Sequence, residues 1–158
     1  MKLKNDGFTL IELLVGMLIM VILISVAFQM LIMAYKTYQY NMAVTHNKMI
    51  IRNVVNQITD EIRYTDAVTN PAFVPGQTTT NSEIEYTNGS VRLDRATQTI
   101  IMNNTNRTEL ASGMTNDLNF TRDGILANAI IIRITVNDHS YRDSPETTID
   151  TTVYLSNF

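Results

Sequence analysis

Apolar and polar positions fall into three regimes along this chain, each with its own period. From Phe8 to Tyr35 the run FTLIELLVGMLIMVILISVAFQMLIMAY is broken by only two strongly polar side chains, Glu12 and Gln29. As a helix it would be roughly 40 Å long, enough to cross a hydrocarbon core of about 30 Å, so a transmembrane segment is expected. Beyond it the pattern becomes amphipathic. Ile51, Val55, Ile58 and Ile62 recur at helical spacing with Arg52, Asn53, Asn56, Asp60 and Arg63 among them, which predicts one buried stripe. Tyr35, Tyr38, Met42 and Met49 extend a looser stripe upstream. A single helix from Phe8 to about Tyr64 follows, its first half apolar and its second half packed on a domain.

The third regime begins after Ala67–Ser82, where Asn70-Pro71, Pro75-Gly76 and a polar Gln-Thr-Thr-Thr-Asn stretch predict a loop. The period then switches to two. Ile84 and Tyr86 alternate with Glu83 and Glu85, Asn88-Gly89 predicts a tight turn, and Val91 and Leu93 alternate with Arg92 and Asp94, which together read as a β-hairpin. Further strands are expected at Gln98–Asn103, at Asp117–Thr121, and, after an Asp123-Gly124 turn, at Asn128–Val136. In the last of these Ile130, Ile132, Ile134 and Val136 line one face. Thr147–Leu155 would close the sheet. The expected fold class is α+β, a long amino-terminal helix packed on a mostly antiparallel sheet of about ninety residues. The expected organisation is 1–7, 8–35, 36–66 and 67–158: a short leader, the membrane helix, the amphipathic helix and a β-rich domain.

Composition narrows the chemistry. The chain has 158 residues, 45% apolar and 17% charged, with no Cys and no Trp, so disulfides and thiolate metal sites are excluded. A net charge of −3 argues against broad electrostatic binding of nucleic acid, which needs a surplus of Lys and Arg. Lys2 and Lys4 precede the apolar run, so the positive-inside rule places the amino terminus in the cytoplasm and the remainder outside it, with Lys36 weakening the bias slightly. A cleaved secretory signal is the alternative, but the run exceeds the usual ~7–15 residues and lacks a small-residue cleavage site at its far end. Glu12 stands out, because a carboxylate in a bilayer costs on the order of 2.5–3.5 kcal/mol and so calls for a partner or a function. Lying about one turn into the run, it could equally be hydrated at the cytoplasmic interface.

The string Gly7-Phe8-Thr9-Leu10-Ile11-Glu12-Leu13-Leu14-Val15 closely resembles the class III signal of type IV prepilins and pseudopilins. The resemblance implies that a prepilin peptidase cuts between Gly7 and Phe8, removing a leader of Met1 to Gly7, and that Phe8 is then N-methylated. It further implies that Glu12, fifth in the mature chain, pairs during assembly with the amino terminus of a neighbouring subunit, supplying a partner that Glu12 otherwise lacks. Gly7, with no side chain, lets the backbone lie close in a protease cleft. Major pilins often carry Pro where this chain has Gln29. Without it the helix keeps its ladder there, and Gly16 is the only weak intrinsic site for a kink.

The later pattern, a Leu-x-Phe strand, a turn, a long apolar strand, a polar loop and a final strand, resembles minor pseudopilins of the J type and related minor pilins. Competence pseudopilins share the layout. Glu12 argues against the K type, which typically lacks it. The implied partners are the membrane, other pilin or pseudopilin subunits, the peptidase and an assembly platform protein; neither DNA nor a secreted substrate is selected as a ligand. Pili, type II secretion and DNA uptake share this architecture. The implied function is a minor pilin or pseudopilin entering or priming a filament, and the rival is a single-pass binding protein or adhesin acting alone.

Nothing else points to catalysis, a metal or a cofactor. His46 and His139 are the only histidines, neither has a second ligand at metal spacing, and His46 reads as solvated from its neighbours Thr45 and Asn47. The oxygen-rich stretch 137–146 does not match a calcium loop and reads as a solvated connection. No Gly-rich phosphate loop or Ser-His-Asp set is present, so an enzyme is not expected.

Overall fold

The computed structural model describes residues 9–105, 107–137 and 145–156. The chain forms two compact units, Met1–Gln39 and Tyr40–Phe158. One helix, α1 (Leu10–Ile62), begins in the first and ends in the second.

In the first unit α1 is apolar on every side and, among the described residues, nothing covers it; residues 9–38 are all exposed. Such a surface needs lipid or neighbouring helices. Two of its hydroxyls are satisfied locally: Ser25 Oγ donates to the Val21 carbonyl at 2.7 Å and Thr37 Oγ1 to the Met33 carbonyl at 3.0 Å. The helix runs unbroken through Gly16 and Gln29, as expected where no Pro removes a donor.

In the second unit α1 buries Ala43, Asn47, Ile51, Val54, Val55, Ile58 and Ile62, which contains all four positions of the expected stripe. Upstream the expectation fails. Tyr35, Tyr38, Met42 and Met49 remain exposed, and the buried face continues instead through Asn47 and Ala43. The small Ala43 allows close approach, and the Asn47 amide finds partners inside, so apolarity alone misidentifies the face.

Among the described residues nine strands follow: β1 (Val68–Asn70), β2 (Thr79–Asn81), β3 (Glu83–Tyr86), β4 (Gly89–Asp94), β5 (Thr99–Asn103), β6 (Arg107–Ala111), β7 (Thr115–Arg122), β8 (Ala129–Val136) and β9 (Thr147–Tyr154). All pairings are antiparallel, and the α+β class stands. They form two sheets rather than the expected one, ordered β1-β3-β4-β5-β6 and β2-β7-β8-β9. β1 and β2 arise within the stretch expected to be a loop, and β6 has no counterpart among the expected strands. All three lie at sheet edges, where the neighbour's hydrogen bonds, and not an internal period, define the strand.

Leu118 and Phe120 of β7, Ile130, Ile132, Ile134 and Val136 of β8, and Ile84, Val91, Ile100 and Met102 of the other sheet join the α1 stripe in one core. The β3–β4 hairpin differs by one residue from its expected turn. Tyr86 pairs with Gly89, so Thr87-Asn88 makes the turn and Gly89 opens the strand. A Cβ at Gly89 would collide with the Asn103 carbonyl oxygen, so the glycine is needed for close packing of two backbones and not for turn conformation.

Candidate functional site: the start of the apolar helix

The first turn of an α-helix leaves backbone N–H groups without partners. Here Thr9 and Glu12 satisfy them reciprocally. Thr9 precedes the first helical residue, and its carbonyl accepts the Leu13 N–H at 3.3 Å. Thr9 Oγ1 accepts the Glu12 N–H at 3.4 Å, while Glu12 Oε2 accepts both the Thr9 N–H and the Thr9 hydroxyl at 3.0 Å. This is a capping box, Thr-x-x-Glu, and it places a negative charge at the positive end of the helix dipole.

The geometry corrects one expectation. Glu12 does not lack a partner within its own chain, since Thr9 holds it. The signal is present in Thr9-Leu10-Ile11-Glu12, which has capping-box spacing ahead of an apolar run. Among the described residues the helix starts at Leu10. The Glu12 carboxylate is turned back along the chain, toward the residue that follows Phe8. Gly7 and Phe8, the expected cleavage and methylation positions, lie outside the described residues.

Polar groups elsewhere hold the second unit together. Asn47 Nδ2 donates to the Pro145 carbonyl at 3.0 Å and to Thr147 Oγ1 at 3.3 Å, tying α1 to the start of β9. Its burial overturns the expectation that this part of the helix is solvated, and His46 beside it is half-buried. Arg122 is almost fully buried. Its guanidinium donates to the Ala127 carbonyl at 3.1 and 2.8 Å, to Val68 at 3.1 Å and to Pro71 at 3.4 Å, and lies 5.6 Å from the centre of the Phe73 ring. Burial pulls its pKa below the usual arginine value. The sequence pattern does not single out Arg122, although it continues the inward period of Leu118 and Phe120.

Tyr86 is buried, and burial first, then the nearby Glu61 carboxylate, pushes its phenol up to about 12. Arg133 and Asp150 form an exposed bidentate pair across β8 and β9, at 2.8 and 2.7 Å. Among the described residues no group of three His, Cys, Asp or Glu is placed to hold a metal ion. His139 and most of 137–146 lie outside the described residues.

With this geometry in hand, comparison with known proteins adds one finding. A family model described as the prokaryotic N-terminal methylation motif matches residues 2–28. The match supports a type IV pilin-like class III signal in this part of the chain. No curated protein and no solved structure matches. Within α1, an 18-residue window has a mean hydropathy of 2.8, long and apolar enough to cross a membrane.

Proposed function

We propose that the chain is a minor pilin or pseudopilin, anchored in the membrane by α1, trimmed between Gly7 and Phe8 by a prepilin peptidase, N-methylated at Phe8 and then drawn by an assembly platform into a filament. The observation that carries this reading is the methylation motif over residues 2–28, running into a helix whose apolar surface is open on all sides. A helix of this kind is stable in lipid, and equally stable when lateral neighbours replace lipid, so transfer from membrane to filament exchanges one apolar environment for another. Cleavage creates an ammonium at Phe8. In this reading Glu12, whose carboxylate caps its own helix through Thr9, pairs in the filament with a neighbour's ammonium, and the ion pair offsets the cost of a charge in a low-dielectric bundle.

The test is the mass of the amino terminus. In a host with the peptidase the mature chain is expected to begin at a methylated Phe8, and Gly7→Ala is expected to retain the leader. A native chain that keeps its first seven residues would instead be a single-pass binding protein, and the filament reading would be withdrawn.

A further inference from the structure

From Thr9 to Tyr35 every strongly polar side chain of α1 and its cap except one is answered within the chain. Thr9 and Glu12 hold each other, Ser25 Oγ donates to the Val21 carbonyl, and Gln39 Nε2 donates to the Tyr35 hydroxyl at 2.6 Å. The exception is Gln29. It is exposed and makes no hydrogen bond to another side chain or carbonyl among the described residues. A carboxamide carries two N–H donors and an oxygen with two lone pairs, and hydrocarbon serves neither. Tyr35, six residues on, suits the boundary between lipid and water, which places Gln29 about 9 Å inside it.

Two features of the sequence say what answers this amide. Every copy of the chain enters the membrane in the same orientation and so carries Gln29 at the same depth. A carboxamide is also its own complement, because each oxygen can accept from the other's NH2, so two parallel helices in register satisfy one another. Gln29 lies, moreover, in a seam. Val15, Leu18, Ile22, Ser25, Gln29 and Ile32 follow at alternating steps of three and four residues, the pattern of a parallel helix pair with one amide fixing its register. All six are exposed. Ser25, one turn before Gln29, is small enough to let two backbones approach beside the amides. Lys36 is the next position in the pattern. It lies past Tyr35, where water and salt screen two like charges, and the seam ends there.

We propose that unassembled copies pair in the membrane through reciprocal Gln29–Gln29 hydrogen bonds, in register along the Val15–Ile32 seam. The contact is two-fold and side by side, the same patch on both partners. It differs from the filament contact, in which Glu12 of one copy meets Phe8 of another. The proposal rests on the membrane anchoring within the proposed function and not on assembly, and it adds a stored form from which subunits are drawn.

The full-length chain has no Cys, so single thiols report the seam directly. Ile32→Cys and, as an off-seam control, Leu31→Cys are expressed in a host that has the peptidase but no assembly platform, and the membranes are oxidised. Ile32→Cys is expected to give a disulfide-linked homodimer and Leu31→Cys little. Adding Gln29→Leu to Ile32→Cys should lower the dimer about five-fold, the equivalent of one interhelical hydrogen bond of about 1 kcal/mol, whereas Gln29→Asn, which keeps a carboxamide, should retain most of it. Equal cross-linking at positions 31 and 32, a yield that Gln29→Leu leaves unchanged, or adducts with other proteins in place of the homodimer would overturn the pairing. The amino-terminal mass is read on the same samples. A mature Phe8 terminus without the Gln29-dependent dimer rejects the pair alone, and an intact leader with that dimer withdraws the filament reading while the pair stands.

Discussion

Glu12→Gln separates two jobs that the wild-type carboxylate combines. In the capping box its Oε2 accepts the Thr9 N–H and hydroxyl, and a Gln carbonyl oxygen at the same position accepts equally well, so the helix start is expected to change by no more than a few tenths of a kcal/mol. The charge, however, is lost. An unpaired carboxylate in the bilayer costs about 2.5–3.5 kcal/mol, and pairing with a neighbour's ammonium relieves up to that amount. At about 1.4 kcal/mol per factor of ten, removing this preference lowers the ratio of assembled to membrane-held subunit by up to roughly three-hundred-fold. Glu12→Ala loses the same preference and also the acceptor for the Thr9 N–H, about 1 kcal/mol more. The assay is an immunoblot of sheared filaments against the membrane fraction, normalised to leader-free chain, since both variants are expected to be processed normally. Wild-type incorporation of Glu12→Gln would refute the charge role and leave the carboxylate as a helix cap alone.

Three further outcomes are expected for the second unit. Asn47→Leu removes the bonds to Pro145 and Thr147 and leaves a part-buried carbonyl without this donor, costing about 1–3 kcal/mol; a thermal melt of the detergent-solubilised chain should fall by several degrees, and an unchanged midpoint would reject the tie. Because the folded-state pKa of Tyr86 is raised to about 12, the unfolded chain ionises first, so stability is intact below pH ~10 and declines as the pH climbs toward 12. Tyr86→Phe should flatten that alkaline limb in denaturant titrations, and an identical slope would reject the assignment. Gly89→Ala forces a methyl against the Asn103 carbonyl and is expected to destabilise by about 1–3 kcal/mol, read as a lower denaturant midpoint.

Long periodic features are legible from residue spacing alone. Ile51, Val55, Ile58 and Ile62, and the inward row of β8, repeat often enough that burial follows from the period. The sheet edges are not legible in this way. Val68–Asn70 and Thr79–Asn81 are three residues each, too short for a period, and Arg107–Ala111 is mostly exposed, so its side chains carry no alternating record of a core. Two sheets instead of one is a matter of which strands meet, and pairing between β1 and β3 or between β2 and β7 leaves no mark on either strand alone. Polar residues inside are harder still to read. Asn47 and Arg122 lie at positions that the helical and strand periods assign to the interior, yet their type argues for solvent, and only their carbonyl partners reconcile the two. At the amino terminus the spacing of Thr9 and Glu12 encodes a cap, but the surrounding apolar run makes charge burial the more conspicuous signal.

The unbroken ladder of α1 through Gly16 and Gln29 also bears on mechanics. Tension along this rod is shared among its turns, because no proline ring interrupts the amide bonds and Gly16 is the only weak point along the apolar half. A fibre built from such subunits would act as a stiff tether, resisting extension until whole turns rupture together, in contrast to one whose rods uncoil readily at a proline.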